Sequence, residues 1–273
     1  MKMRLTGMQG GHSGVEIKDN RGNAIIEICK ILSKNDQIVG ISELKGGDTD
    51  NSIPRNAKAV FLYTGNVEKL EKSLKAKQRK LRKEYENENI KVTVEKLGGS
   101  EPFYDMRETC RSIVRSRSGV QIWHEDGITP LSSWNLGKIR FVDGIYKWCY
   151  FIRTNILGGI QPMKKKILSS YEKSKRLEWG FDHELPVWYA SPDSPFVQGI
   201  LASIRSYNKS PITIQTMHAT MEAGMLSVKY PNTQWVSMGA TCHDMHTTRE
   251  HIYKADLEEF CGRLEKVIKD WRK

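Results

Sequence analysis

The chain has 273 residues, of which 38% are hydrophobic and 27% charged, with 22 glycines and 9 prolines. This length and composition exclude a disordered or collagen-like chain and predict one large or two medium folded domains. The longest apolar runs are five residues, whereas roughly 20 are needed to cross a bilayer. The first residues lack the apolar core of a secretory signal. We therefore expect a cytoplasmic protein with no membrane partner.

The net charge of +11 raises the question of an anionic partner, because nucleic-acid binding depends on Lys and Arg contacts with phosphate. The basic residues lie mostly in two helix-like stretches, residues 69–83 and 164–176, where glutamates interleave and no Gly-aromatic motif follows. A solvated helix face is the simpler interpretation, and we do not expect a nucleic-acid partner. The five widely spaced cysteines predict buried, reduced thiols.

Hydrophobic periodicity predicts the order strand, helix, strand, strand, helix, strand in the first 98 residues. The strands are expected at residues 3–9, 38–44, 57–63 and 90–97, and the helices at 20–34 and 66–86. This order is the split βαβ arrangement of ferredoxin-like folds. Two strands within residues 137–155 and a helix at 163–177 are expected to extend the same antiparallel sheet.

The pattern changes after residue 191. Helices are predicted at 195–207, shortly after Glu222, and at 255–271, with Ser194 as an N-cap, and strands at 212–217 and 235–238. Alternating helices and strands indicate an α/β sheet. The two predicted strands are, however, fewer than the roughly four to six strands of a usual sheet. The predicted fold class is therefore α+β: residues 1–190 form a ferredoxin-like domain with an extended antiparallel sheet, and residues 191–273 form an incomplete α/β segment.

Three motifs combine residue types that carry chemistry. His12 stands in a glycine-rich turn at residues 10–17, although a lone histidine in such a turn is more often inert. Residues 50–55 form a polar turn before a strand, which is also typical of an ordinary hairpin. Residues 239–248 place His243, Asp244 and His246 within four positions after a predicted strand, where they are candidate metal ligands. Four-ligand sites need further groups from elsewhere in the chain.

In this order the motifs resemble the aminoacyl-histidine dipeptidases, also called cytosolic non-specific or carnosinase-like dipeptidases, which are zinc metallopeptidases. The similarity runs from about residue 4 to the C-terminus. The blocks that carry it are Gly-Gly-His-Ser-Gly-Val-Glu-Ile at 10–17, Arg-Gly-Asn-Ala at 21–24, Asn-Ser-Ile-Pro-Arg at 51–55, Ser-Trp-Asn-Leu-Gly at 133–137, Ile-Arg at 152–153, Pro-Asp-Ser at 192–194, His-Ala-Thr-Met-Glu-Ala-Gly at 218–224 and Asp-Met-His-Thr at 244–247.

The resemblance implies a subunit with a catalytic α/β domain, which holds two zinc ions, and an inserted lid domain with ferredoxin-like elements. Residues 1–190 would be the lid and dimerisation domain, and residues 191–273 the last part of the catalytic domain. It implies hydrolysis of Xaa-His and other dipeptides by a zinc-activated water with a glutamate as general base. His246 would be a zinc ligand, and His12 the lid imidazole that stabilises the oxyanion, in the family often across a dimer interface.

Further residues of the resembling blocks would bind the substrate. Asn51, Asn135 and Arg153 would hold its carboxylate or carbonyl group, Arg153 through its bidentate guanidinium. Glu222 lies in a family block near the site. The partners implied are a dipeptide and a second copy of the chain bound through the lid.

The family's other zinc ligands and its general base precede the lid, and this sequence begins at the lid. The His-Glu-Asp at 124–126 and the Glu258-Glu259 pair do not replace them, because an exposed loop and a solvated helix face are the simpler interpretations. We therefore expect this chain alone to be a truncated, inactive portion that does not bind zinc tightly. A separate chain would then supply the catalytic half. The alternative is a non-catalytic, dimerising interaction module derived from the lid.

Overall fold

The computed structural model describes residues 1–99, 102–142, 145–174, 177–207, 212, 214–245 and 249–271. They form an N-terminal unit, Met1–Trp179, and a C-terminal unit, Gly180–Lys273. The strands are β1 (Lys2–Thr6), β2 (Gly11–His12), β3 (Ile38–Gly46), β4 (Ser52–Ile53), β5 (Ala57–Tyr63), β6 (Lys91–Glu95), β7 (Gly119–Trp123), β8 (Pro130–Val142), β9 (Ile145–Thr154), β10 (Cys242–His243) and β11 (His251–Ile252). The helices are α1 (Ala24–Lys34), α2 (Val67–Glu84), α3 (Arg107–Arg115), α4 (Ile160–Ser169), α5 (Pro195–Tyr207), α6 (Glu222–Lys229) and α7 (Lys254–Trp271).

The first part of the N-terminal unit has the predicted ferredoxin-like topology. Its four long strands lie in the order β6-β1-β5-β3, and every neighbouring pair is antiparallel. The central strand β1 pairs on one side with β5, where Met3 faces Ala59, and on the other with β6, where Met3 faces Val94. The mixed α+β fold class with an extended antiparallel sheet is thus confirmed. No helix in the described residues is long and apolar enough to cross a membrane.

The two long helices begin at asparagine caps. The Asn23 side chain accepts hydrogen bonds from the backbone N–H groups of Ile25 and Ile26, so α1 begins at residue 24 rather than at the expected residue 20. Asn66 caps α2 in the same way through the N–H of Lys69. Each helix then buries one apolar face. The buried apolar side chains on that face are Ile25, Ile28, Cys29 and Leu32 in α1 and Leu70, Leu74 and Leu81 in α2.

The sheet is extended by β8, which pairs with β3 at the single position Gly46 opposite Ile139. Along its length β8 pairs with β9, and its first half also pairs with β7. The join places two glycines in close backbone contact. A Cβ on Gly47, which has φ +69°, would overlap the carbonyl of Gly137, and a Cβ on Gly137 would overlap the carbonyl of Asp50. Neither position has room for a side chain.

Four short elements of the N-terminal unit were not predicted, namely the two-residue strands β2 and β4, helix α3 and strand β7. Helix α3 has few side chains that are both apolar and fully buried, among them Cys110 and Ile113, so its apolar stripe is too short to stand out in the sequence. Strand β7 has only five residues. Helix α4 begins and ends earlier than the expected 163–177, and residues 143–144, where the β8–β9 turn was predicted, lie outside the described residues.

The C-terminal unit contains the three predicted helices but not the two predicted strands. The Ser194 hydroxyl accepts a hydrogen bond from the N–H of Val197, as expected for the cap of α5. Phe196 of α5 meets Trp271 of α7 edge to face, with ring centroids 5.4 Å apart. The described residues of 212–217 and 235–238 are not in strands. An isolated apolar run cannot satisfy its backbone as a strand without a neighbour, and Ile214 is 51% exposed.

The unit boundary at residues 179–180 lies close to the expected boundary at residue 190. The assignment of 1–190 as a lid and 191–273 as part of a catalytic domain stays a prediction. The cysteines are free, as expected, but only Cys29 and Cys110 are buried, and Cys261 is exposed.

A buried carboxylate ties the two long helices together. The Glu27 side chain on α1 is 1% exposed and contacts Lys30 at 2.5 Å and Lys77 of α2 at 2.8 Å. The Tyr85 hydroxyl, at the end of α2, donates to it at 3.0 Å. Burial raises the pKa of Glu27, but hydrogen bonds and charge from the two lysines lower it by more, so this pKa lies below its ordinary value.

Because the folded-state pKa of Glu27 is depressed, its ionised form stabilises the fold above the ordinary pKa of 4.5, and this stability is lost as the pH falls through the lower folded value. We expect Glu27→Gln to lower the free energy of unfolding at neutral pH by about 1–3 kcal/mol, measured by urea denaturation. The difference between the two proteins should shrink at acid pH. Glu71→Gln, on the exposed face of α2, is the control; an equal effect would contradict this role for Glu27.

Candidate functional site

His12 lies in a short two-stranded ladder beside the main sheet. Strand β2 pairs with β4, so that His12 faces Ser52 and Gly11 faces Ile53. His12 is only 7% exposed. Gly11 has φ +132°, and a Cβ there would overlap the Glu16 carboxylate and the Arg21 guanidinium. Glycine at this position therefore lets both charged groups approach the backbone beside His12.

The backbone of His12 is held by an ion pair. The Glu16 carboxylate accepts a hydrogen bond from the His12 N–H at 2.6 Å, and its other oxygen lies 2.7 Å from the Arg21 guanidinium. Arg21 also donates to the carbonyl of Gly10 at 2.9 Å. Charge-assisted hydrogen bonds of this kind are stronger than neutral ones. The glycine-rich turn is therefore a fixed loop around one imidazole.

The contacts of Nδ1 favour one tautomer of the His12 imidazole. Its Nδ1 accepts hydrogen bonds from the backbone N–H groups of Gly14, at 3.2 Å, and Val15, at 2.9 Å. A nitrogen that accepts cannot carry a proton, so in the neutral ring the proton lies on Nε2. Nε2 is therefore a hydrogen-bond donor.

Arg153 on β9 brings a second donor to the same place. Its guanidinium nitrogen Nη2 lies 3.4 Å from His12 Nε2. Arg153 is 8% exposed, and its guanidinium carbon lies 4.3 Å from the centre of the Phe151 ring. Burial lowers the pKa of Arg153 to about 10, so it is still a cation at neutral pH. Two donors, one of them charged, thus lie side by side, an arrangement that suits an anion or a polarised carbonyl oxygen.

Asn135 lies at the centre of the hydrogen bonds that support this pair. It is 1% exposed on β8, and its amide nitrogen donates to the carbonyl of Ser52, directly opposite His12, at 2.7 Å. Its amide oxygen accepts from the Asn23 side chain at 3.1 Å. Asn23 in turn donates to the carbonyl of Leu136 and caps α1. These bonds connect Asn135 to the backbone opposite His12, and its expected role in holding the substrate stays a prediction.

The other predicted site residues are distributed more widely. The Asn51 carbonyl accepts a hydrogen bond from the N–H of Ser13, next to His12. Glu222 is the exposed first residue of α6 in the C-terminal unit. His246 lies outside the described residues. In the same motif, His243 stacks on His251 with ring centroids 5.2 Å apart. In the part of the chain that the structure describes, no group of three or more His, Cys, Asp or Glu is placed to hold a metal ion.

Sequence reasoning missed the residues that support His12. Glu16 and Arg21 were quoted only as parts of motif blocks, and Asn23 was not recognised as a helix cap. The position of Asn23 directly before an apolar helical stripe was a usable signal. The pairing of Glu16 with Arg21 gave no usable signal in the sequence, because it depends on how the turn folds.

We expect Asn135→Ala to lower the free energy of unfolding by about 1–3 kcal/mol, because it leaves the buried Asn23 amide and the Ser52 carbonyl without this partner. It should also speed amide hydrogen exchange at His12 and Ser13, because the β2–β4 ladder connects the backbone of His12 to that of Ser52. Denaturation and exchange followed by NMR measure both effects. Asn89→Ala, at an exposed position, is the control, and unchanged exchange at His12 would argue against this connection.

Comparisons with known proteins agree with the resemblance in the motifs. Residues 4–90 match the family of peptidase dimerisation domains. Over 98% of its length the chain is 24% identical to the cytosol non-specific dipeptidase of Escherichia coli (strain K12), of which it covers 57%. The crystal structure of aminoacylhistidine dipeptidase from Vibrio alginolyticus superposes with a TM-score of 0.77 at 24% identity, covering 98% of this chain and 56% of that one. The chain therefore spans little more than half the length of these relatives.

Proposed function

We propose that this chain, which is homologous to cytosol non-specific and aminoacylhistidine dipeptidases over nearly its whole length, forms the substrate-covering and dimerising part of a dipeptide hydrolase. Its substrates would be Xaa-His and other dipeptides. In this role residues 1–190 are the lid and residues 191–273 are the last segment of the catalytic domain. Hydrolysis itself would also require the part of these relatives that this chain does not cover.

The observation that carries the proposal is the pair formed by His12 and Arg153. When a nucleophile adds to a peptide carbonyl, the oxygen gains negative charge, and a fixed N–H donor stabilises it more than it stabilises the substrate. The Nε2–H of His12 is such a donor. The permanent cation of Arg153, beside it at 3.4 Å, is suited to the carboxylate at the end of a dipeptide. Asn135 and Asn51 would keep the turn in place, and Glu222 would lie near the substrate.

Two zinc ions activate the attacking water in the family that the chain resembles. The described residues do not fit such a centre, because they contain no group of three ligands. His246 would contribute one ligand from outside them. No step through zinc is therefore assigned to this chain, and the metal ligands and the general base are proposed to come from the other half of the enzyme.

The proposed partners follow from the same homology. Residues 4–90 match a dimerisation domain, which supports a homodimer formed through the lid, and His12 would then serve the active site of the second subunit. A separate chain with the catalytic half is the other proposed partner. A cytoplasmic location is proposed by analogy with the cytosol dipeptidase. A purely structural interaction module has no need for a buried arginine beside a histidine of fixed tautomer, and we do not favour it.

The roles of His12 and Arg153 can be tested in a fusion in which this chain replaces the matching part of the Escherichia coli dipeptidase. We expect His12→Asn to lower kcat for Ala-His by about 100-fold or more, as found when one oxyanion donor is removed. Arg153→Gln should mainly raise KM, by about tenfold, because it removes a charged contact with the substrate. His124→Asn, on an exposed hairpin, is the matched control. Equal kcat for the His12 and His124 variants would refute the proposal.

The chain by itself gives a measurement that does not depend on the fusion. Nitrogen-15 NMR of the imidazoles should show His12 as the Nε2–H tautomer, and added Ala-His should shift its Nε2 signal but leave His124 unchanged. Arg153→Gln should abolish that shift. A His12 ring protonated only on Nδ1 would contradict the proposed donor.

Whether the chain needs the other half of the enzyme for zinc binding and hydrolysis can be tested on the purified chain with added zinc. We expect no hydrolysis of Ala-His above background and less than two tightly bound zinc ions per chain, because tight binding needs several preset ligands. The same sample should sediment at twice the mass of one chain. Turnover together with two bound zinc ions would show that the chain is a complete enzyme.

A further inference from the structure

A cavity of about 470 Å³ lies within the N-terminal unit. It is bordered by residues 17–22, the first turns of α1, the segment that follows α3, and β7. Neither His12 nor Arg153 lines it. Its size is within the range of cavities that hold small organic ligands.

The lining of the cavity is divided about equally between apolar and polar groups, and several of the polar groups are donors. The apolar side chains that line it are Ile17, Ile26, Ile53, Val114 and Val120. Trp123 adds an aromatic wall with an indole N–H, and Ser118 adds a hydroxyl. The Ser118 oxygen already accepts a hydrogen bond from the N–H of Leu136 at 2.6 Å, so its own proton is available to donate. Such a lining suits a ligand with an apolar body and an acceptor group.

Charges at the cavity leave a positive excess. Asp19 and Glu27, the two acids in its lining, lie 3.1 Å from Arg21 and 2.5 Å from Lys30. The other two lining cations, Lys18 and Arg117, make no ion pair within the described residues. Both are exposed enough to meet a ligand from solvent. Arg117 is also held at φ +47°, a backbone conformation that is uncommon for residues other than glycine.

We propose that this cavity binds a small organic anion, a carboxylate with an aliphatic body. The carboxylate contacts Arg117 and Lys18, and the aliphatic part lies against the isoleucine and valine walls beside Trp123. Two lining cations that make no ion pair within the described residues, together with the isoleucine and valine side chains of the lining, favour this class over both neutral ligands and small inorganic anions.

The cavity shares residues with the supports of His12. Arg21 lines it and holds Glu16, which binds the His12 backbone. Asn23 and Asn135 also line it, and they connect to the Ser52 carbonyl opposite His12. An occupant therefore contacts the same hydrogen-bonded framework that positions the imidazole. The proposal does not depend on dipeptide hydrolysis, because it concerns binding to this chain alone.

The test is calorimetric titration of the purified chain with 4-methylpentanoate, its uncharged amide 4-methylpentanamide, and inorganic phosphate. We expect the carboxylate to bind at least about tenfold more tightly than the amide or phosphate. Arg117→Gln and Lys18→Gln should each weaken carboxylate binding by about tenfold, whereas Arg111→Gln, on α3 outside the cavity, should not. Quenching of tryptophan fluorescence by the carboxylate should be reduced in Trp123→Phe.

A variant of the other site separates the two proposals. Arg153→Gln should leave the quenching of Trp123 fluorescence by the carboxylate unchanged, because Trp123 lines the cavity and Arg153 does not. If binding is lost in Arg153→Gln but kept in Arg117→Gln, the anion lies beside His12 and the cavity proposal is wrong. Absence of binding, equal binding of carboxylate and amide, or unchanged affinity in both cavity variants would also overturn it. Each of these results is compatible with a contribution of the chain to dipeptide hydrolysis, so failure of the cavity proposal leaves the proposed function standing.

Discussion

The buried amide of Asn135 connects parts of the chain that are far apart in sequence. Through it the cap of α1 is joined to β8, and β8 to the carbonyl opposite His12. This connection acts together with the two residue pairs of the β2–β4 ladder and the ion pair of Glu16 with Arg21 in fixing the position of His12. The sheet extension through β8 and β9 also brings Arg153 to His12. The position of the two donors is therefore a consequence of how the second half of the sheet joins the first.

Much of the N-terminal unit was predictable from periodicity. The strands and helices of the ferredoxin-like part have regular apolar stripes, such as Leu70, Leu74 and Leu81 on α2, because each buries one face in the same core. The short α3 and β7 have too few buried residues to produce a pattern. In the C-terminal unit, the stretches at 212–217 and 235–238 resemble strands in sequence but have no strand neighbour in the described structure. Strand prediction fails there because a strand depends on a partner that the run itself does not encode.

The candidate site was predictable only in part. The histidine in its glycine-rich turn and the arginine at residue 153 stood out through the resemblance of their blocks, and the structure places them 3.4 Å apart. Asn135 stood out too, but its amide is engaged with Asn23 and Ser52, and this could not be read from residue type. The tautomer of His12 and the clamp by Glu16 depend on backbone N–H directions in the folded turn. Such directions are set by tertiary structure rather than by sequence spacing.

The two backbone hydrogen bonds to Nδ1 limit what the His12 ring is able to do. A histidine that relays protons takes one up on one nitrogen and releases one from the other, and here one nitrogen is already occupied. In the proposed role this ring would act as an oriented dipole with its Nε2–H end toward the substrate, as neutral imidazoles do in some other enzymes. Its contribution to any reaction would be electrostatic, and the transfer of protons would fall to other groups.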